Sequence, residues 1–378
     1  MKVKYQIIDT PARLKDIANT FLKEAKIGVD LEADSMYHYQ EKVCLLQMAT
    51  KRINVIIDPL QIRDLSALKP VFAGQRIKKI FHGADYDVRS LFRDFKITIN
   101  NLFDTQLAAM FLGLKETSLE AVLKGRFQVA LEKKYQRKDW SRRPLPQEMI
   151  AYAANDVRYL VPLADMFEKE LGQEKRLHWV KEECECLSRV RPVQNNQNPL
   201  YLSFKGAGRL DSRSLAVLEA LLQYRKKIAA QKDKPLFKIF RNQALLLLAI
   251  EKPANKRGLE NTKALSRKQI GMYGKGLIET IMQALKLPEA QLPIYPRKKA
   301  PVSNPGVPKK LRALKSWRDA KASALELEPR MLFTRALLSI IADENPQDLH
   351  ALAKITEIKR WQKNEFGPDL VSVLKQVN

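Results

Sequence analysis

Ile27-Gly28-Val29-Asp30-Leu31-Glu32 is a short apolar run ending in two acids spaced two residues apart. Side chains alternate along a strand, so a strand here sends both carboxylates to the same face of its sheet. A D-x-E pair alone carries little information. The apolar start at Ile27-Gly28-Val29 gives it weight, because it makes the strand buried and leaves the acids at its end. Similar runs follow at Val43–Ala49, Ile53–Asp58 and Ile77–Phe81. Helical spacing then predicts helices over Val88–Phe95, Asp104–Leu112, Ser118–Lys124 and Gln147–Leu171. Only a few polar residues around Lys51 and Arg52 separate two of the strands, which predicts a hairpin. The expected fold of this part is therefore α/β, a mixed sheet flanked by helices.

Two further segments carry chemistry. His82-Gly83-Ala84-Asp85-Tyr86-Asp87 follows an apolar strand and opens a helix. A carboxylate there often does no more than cap the helix. In Tyr152-Ala153-Ala154-Asn155-Asp156 the Tyr and the Asp are four apart and share one helix face. Taken singly, a buried Tyr with a polar neighbour explains that pair equally well.

From about residue 207 the pattern is helical throughout, and it repeats. At an offset of 93 residues Tyr224-Arg225 falls on Trp317-Arg318, Phe240 on Phe333, and Leu259 on Leu352. Tyr273-Gly274 likewise falls on Phe366-Gly367. Coincident apolar positions arise by chance, but paired aromatic-Gly and aromatic-Arg dipeptides argue for two copies of one helical domain. The Pro- and Lys-rich stretch Pro288–Pro308 reads as the linker between them, and Arg191–Pro199 separates the first copy from the α/β part.

Composition narrows the partners. The 378 residues include 67 Lys and Arg against 42 Asp and Glu, a formal charge of +25. Residues 1–200 contribute +7, 201–300 contribute +14, and 301–378 contribute +4. So local an excess points to a polyanionic partner, either nucleic acid or an anionic membrane surface. The longest apolar run, Ala244–Ile250, is far short of the roughly 20 residues of a spanning helix, so a membrane is not expected. The first residues show no apolar secretory core, and Cys44, Cys184 and Cys186 cannot build a disulfide framework. A reducing cytoplasm fits. His178 with Cys184 and Cys186 supplies only three zinc ligands, so zinc is not expected.

The three acidic segments, in this order, resemble the DEDD superfamily of 3′–5′ exonucleases, whose fold is the ribonuclease H-like α/β sandwich. Motif one falls on Asp30 and Glu32, motif two on His82 and Asp87, and motif three on Tyr152 and Asp156, the tyrosine branch. Leu45-Leu46-Gln47, Ile57-Asp58-Pro59-Leu60, Asp104–Ala109, and Asp139-Trp140 with Arg143-Pro144-Leu145 narrow the resemblance to ribonuclease D. The repeated unit resembles the HRDC domain, a helicase and ribonuclease D C-terminal module. The expected division is an exonuclease domain over 1–172, a connecting helix and linker over 173–209, HRDC domains over 210–290 and 304–378, and a linker over 291–303.

The resemblance implies a metal-dependent exoribonuclease that trims 3′ ends of tRNA precursors and other small structured RNAs, releasing 5′-mononucleotides. Asp30, Glu32, Asp87 and Asp156 would hold two divalent ions, Mg²⁺ or Mn²⁺, a choice in keeping with hard oxygen donors. Asp30 would bridge both ions. Tyr152, whose free phenol titrates near pH 10, would orient the attacking water rather than deprotonate it. Four crowded carboxylates would repel one another and strain the metal-free site. The residue after Glu32, often an aromatic wedge in this family, is Ala33, leaving Met36, Tyr37 and Tyr39 as stacking candidates. Other substrate candidates are His82, the basic run Lys133, Lys134, Arg137, Lys138, Arg142 and Arg143, and Arg225, Lys226 and Lys227 in the first HRDC copy. No obligate protein partner is implied, and a monomer is expected.

A DNA exonuclease of the same superfamily is the alternative enzyme, since nothing in the acidic quartet senses a 2′-hydroxyl. A binding protein on a dead nuclease scaffold is the alternative from another class, and the complete acidic set speaks against it. The charge distribution places an RNA clamp in residues 201–300. Deleting both helical domains is then expected to weaken RNA binding and flatten its salt dependence, leaving cleavage of a short oligonucleotide largely intact.

Overall fold

The computed structural model describes residues 4–131, 134–192, 198–296 and 306–377. Lys133 and parts of both expected linkers lie outside the described residues. Two compact units emerge. One comprises Met1–Ala33, Val43–Pro192 and Val302–Asn378, the other Asp34–Lys42 and Val193–Pro301.

The first unit is built on six strands: β1 (Gln6–Ile8), β2 (Lys26–Ala33), β3 (Val43–Ala49), β4 (Asn54–Ile57), β5 (Lys78–Phe81) and β6 (Leu102–Asp104). Their order is β1-β4-β3-β2-β5-β6. β3 runs antiparallel to β2 and β4, the hairpin read from Lys51 and Arg52, while the β1–β4, β2–β5 and β5–β6 pairs are parallel. The sheet is mixed, as its turns required. Every residue of β3 is buried, so the strand beside β2 is covered on both faces.

Two helices cross the face that carries Asp30 and Glu32. The helical pattern over 147–171 forms not one helix but two, Gln147–Arg158 and Leu160–Gln173. Pro162 has no N–H for the carbonyl of Arg158, so the helix cannot continue through that point. Gly28 permits the close crossing, because a Cβ there would lie 3.0 Å from both Val157 O and Leu160 Cβ. The second helix is pinned to the same face by Lys26, whose Nζ donates to Asp165 at 2.7 Å and Glu168 at 2.9 Å. β1, β6 and the helix Pro11–Phe21 carried no strong periodicity and appear only in the folded chain.

The second helical copy packs into the core of this same unit. The Trp361 indole stacks on Trp179 at 4.8 Å, and Phe111 meets Trp361 edge-on at 5.7 Å. Glu182, on the helix Leu177–Ser188, accepts from the first backbone N–H groups of the helix Arg360–Lys375, at 2.8 Å from Arg360 and 3.0 Å from Trp361. Those donors have no partner within their own helix. Arg176 donates to Phe111 O at 2.9 Å and Leu325 O at 3.0 Å, joining the two parts again.

The first copy and Asp34–Lys42 form the second unit. Both copies share one internal device. Arg225 Nη1 donates to Phe240 O at 3.0 Å, and Arg318 Nη1 donates to Phe333 O at 3.0 Å. Gly274 and Gly367 each pack against the Leu of their own copy, with built Cβ positions 3.4 Å from Leu259 and 3.2 Å from Leu352. The repeat is thus a repeat of contacts. Arg225 is 7% exposed and also donates to Asn242 Oδ1, so it belongs to the core of its copy and not to a basic surface.

Candidate active site

Asp30 and Glu32 leave the same face of β2 and enter a cleft of about 320 Å³, together with Tyr152 and Asp156 from the helix Gln147–Arg158. Leu31, Leu119, Leu131, Gln106, Gln136 and His82 line the rest. A second cleft of about 520 Å³ shares Leu131, Tyr152 and Asp156 with the first and adds Asn155, Lys134 and Glu148. The Tyr152–Asp156 edge therefore stands between two adjoining hollows.

Asp87 is buried at the first turn of the helix Asp85–Phe95. Its carboxylate accepts from its own backbone N–H, one of the first donors of that helix. Its carboxylate and that of Asp30 both accept from the backbone N–H of Leu31, which brings it behind Asp30. The turn leading to it is fixed by Asp104, whose carboxylate accepts from Gly83 N at 3.0 Å and Ala84 N at 2.7 Å. Gly83 has a φ of +81°, which the glycine tolerates without a Cβ penalty. Asp104 was legible in sequence only as part of a matching segment. Its role appears when β6 is laid beside β5.

The four acids act on one another. Burial first, then the charges of Asp30, Asp156 and Asp87, push Glu32 well above the usual carboxylate range. Burial raises Asp30 to about 6. Burial and the Asp30 charge raise Asp156 to about 8, and they also raise Asp87 strongly. A low-dielectric cleft favours the neutral form of each acid, and like charges add to the effect. Among the described residues, no three His, Cys, Asp or Glu side chains converge at metal-ligand spacing. The strongest electrostatic neighbours of these acids include one another. A hard divalent cation is the group that would relieve both the burial and the repulsion, so the donor set fits one.

Tyr152 shares a hydrogen bond with Asp156, and burial with the surrounding acids pushes its phenol far above its ordinary value. It remains a protonated donor. Its ring is held by Tyr135, edge-on at 5.7 Å, and by Trp140 at 6.2 Å. Trp140 is fully buried, and Tyr135 Oη lies 3.2 Å from Glu148. These two aromatic residues position the motif-three tyrosine.

Several expected substrate residues are engaged elsewhere. Arg143 forms a two-point pair with Asp58, at 2.6 and 2.8 Å, and donates to the carbonyls of Trp140 and Cys44. That arginine closes the loop ahead of motif three and has few donors left for phosphate. His82 lines the cleft, but Nε2 donates to Thr117 O at 2.9 Å and Nδ1 lies 2.9 Å from Thr105 Oγ1. It is a local tie. Tyr39 packs on the core of the first helical copy, its backbone N–H donating to Asp233 at 3.0 Å, so it is not a free stacking platform. Met36, 43% exposed, stays available, as does the exposed Lys227, while the exposed Arg142 pairs with Asp139 at 3.2 Å. Lys226 is half-buried.

The 3′–5′ exonuclease family profile matches residues 5–172, and the HRDC profile matches 214–281 and 309–374. Ribonuclease D of Desulfotalea psychrophila is 30% identical over 329 residues, covering 86% of this chain and 87% of that protein. The chain belongs to the ribonuclease D family. Members of that family are 3′–5′ exoribonucleases, and exonucleases of this type are metal-dependent. The crystal structure of Escherichia coli RNase D, described as an exoribonuclease involved in structured RNA processing, superposes with a TM-score of 0.74 at 25% identity over 99% of each chain. Human exosome complex component 10 is 33% identical over 65% of this chain, which spans 29% of that longer protein. The mixed sheet flanked by helices expected from the three motifs and the two HRDC domains expected from the repeat are both observed. Among the described residues no helix is long and apolar enough to cross a membrane.

Proposed function

We propose that this chain is a cytoplasmic, monomeric exoribonuclease that removes 5′-mononucleotides one at a time from the 3′ ends of tRNA precursors and other small structured RNAs. The observation that carries this reading is the meeting of Asp30, Glu32, Tyr152 and Asp156 in one cleft, with Asp87 sharing the Leu31 N–H with Asp30. Two divalent ions, Mg²⁺ or Mn²⁺, would be held by Asp30, Glu32, Asp87 and Asp156. When bound, they supply Lewis-acid activation of water and charge stabilisation of the in-line displacement.

The chain's own groups do the rest. Asp156 holds the Tyr152 hydroxyl, and that hydroxyl, kept protonated, orients the attacking water by hydrogen bonding. Trp140 and Tyr135 fix the ring so that the hydroxyl stays at the cleft. Arg142 and Lys227 offer sequence-independent phosphate contacts, and Met36 offers an apolar contact for a base. The direct test uses 5′-labelled and 3′-labelled RNA and DNA strands with Mg²⁺, Mn²⁺ or EDTA. Stepwise shortening of RNA from its 3′ end, abolished by EDTA, is the expected result. No nucleotide release from RNA under either metal overturns the reading.

A further inference from the structure

Gln47 is fully buried, and neither its Nε2 nor its Oε1 has a hydrogen-bond partner among the described residues. A buried amide with both ends unmade is rare in a native fold and asks for an explanation. Its place in the sheet narrows the choices. In the β2–β3 register Gln47 stands directly opposite Asp30, so the two side chains leave the same face, about 5 Å apart at their Cβ atoms. On its other side Gln47 faces Ile56 of β4, and beyond Asp30 the next pair is Glu32 opposite Leu45. Ile56 and Leu45 are buried and apolar, in one cluster with Cys44, Tyr135, Trp140, Met149, Ala153 and Ala154. Across the strand pair, the polar neighbour of the Gln47 amide is the Asp30 carboxylate.

We propose that Gln47 is a positioning residue for Asp30: its amide N–H, unpartnered in the metal-free fold, takes one carboxylate oxygen of Asp30 once a cation in the cleft draws the other. Metal-binding carboxylates need such outer partners, because a carboxylate free to rotate pays orientational entropy each time a cation arrives. Asp30 is the acid that this matters for most, since it sits between Glu32 and Asp87 in the charge network. A second use of the amide is available nearby. Asn54 donates from Nδ2 to Ala154 O at 2.8 Å and leaves its own Oδ1 unpartnered, so Gln47 pairing with Asn54 would be a purely structural role. The two roles differ in what they do to metal binding.

The inference rests on the reading of the four acids as cation ligands, and the experiment separates the two. Full-length protein stripped of metal is titrated with Mn²⁺ by calorimetry, as wild type, Gln47→Met and Gln47→Asn, with a thermal melt of each metal-free form. Gln47→Met keeps the volume and removes the amide, so its metal-free Tm should stay level or rise while Mn²⁺ binds roughly tenfold to a hundredfold more weakly. On a short oligonucleotide it should lower kcat at unchanged KM, and excess Mn²⁺ should recover the rate. Gln47→Asn, which keeps the amide one methylene short, should fall between. Wild-type Mn²⁺ affinity in folded Gln47→Met overturns the proposal, whatever its Tm. If that variant does not fold, wild-type affinity in Gln47→Asn overturns it equally. Failure of the wild-type protein to take up Mn²⁺ removes the cation reading itself.

Discussion

The Trp361 indole lies stacked on the Trp179 indole, centroids 4.8 Å apart and planes 22° from parallel. One ring belongs to the second helical copy and the other to the helix that follows the exonuclease core. Position 361 corresponds, at the 93-residue offset, to Lys268 of the first copy, which is exposed. Two copies of one domain therefore differ where one of them is built into the catalytic unit.

Trp361→Ala should destabilise the catalytic unit by about 3–5 kcal/mol, the usual cost of emptying a large aromatic site. Lys268→Ala at the equivalent surface position should change stability by no more than about 0.5 kcal/mol. Thermal melts of the two variants decide the matter. The packing speaks against the expectation that a chain lacking both helical domains keeps cleavage of a short oligonucleotide largely intact, because loss of residues 302–378 strips the cover from Trp179 and Phe111. A truncated chain ending at 301 should aggregate or lose oligonucleotide hydrolysis. Wild-type Tm and turnover in that truncation would refute the shared core.

Tyr152→Phe should lose most of kcat while Mn²⁺ binding survives, since the ring contacts with Trp140 and Tyr135 remain and only the hydroxyl is gone. Asp156→Asn should lose both. Turnover of Tyr152→Phe at the wild-type rate would end the water-orienting role.

The pH dependence has a definite sign. Burial raises Asp30 to about 6, and burial with the Asp30 charge raises Asp156 to about 8. The folded metal-free protein therefore binds these protons more tightly than the unfolded chain. Stability is fullest below the ordinary carboxyl value near 4 and falls as pH rises through about 6 and about 8. Metal-free Tm should decline across this range, saturating Mn²⁺ should flatten the decline, and Mn²⁺ addition at pH 6 should release protons. Calorimetry in buffers of different ionisation enthalpy measures that release. A flat metal-free profile with no proton release would contradict the assigned burial.

Arg225→Ala should cost about 1–3 kcal/mol, because it strands the carbonyl of Phe240 inside the first copy. Lys227→Ala should leave Tm unchanged and reduce the steepness with which RNA affinity falls with salt. Melts and binding isotherms at three salt concentrations separate the two effects. An unchanged salt slope for Lys227→Ala would remove that lysine from the RNA surface.

What the sequence by itself determined follows from its local character. The acids of β2 and the Tyr152–Asp156 pair are set by spacings of two and four residues, which strand and helix geometry convert directly into shared faces. The copy-to-copy repeat was legible for the same reason, and Trp361 against Lys268 was a signal available within it. The tertiary structure alone decided which basic residues meet solvent. Arg143 looks like its neighbour Arg142 in sequence, yet 85 residues separate it from the Asp58 that holds it. Arg225 and Lys227 are likewise two residues apart, one in the core and one outside. Sheet register decided the rest. Only when β3 is laid against β2 does Gln47 come to face Asp30, because cross-strand partners are chosen by the packing of whole strands and not by any spacing along the chain.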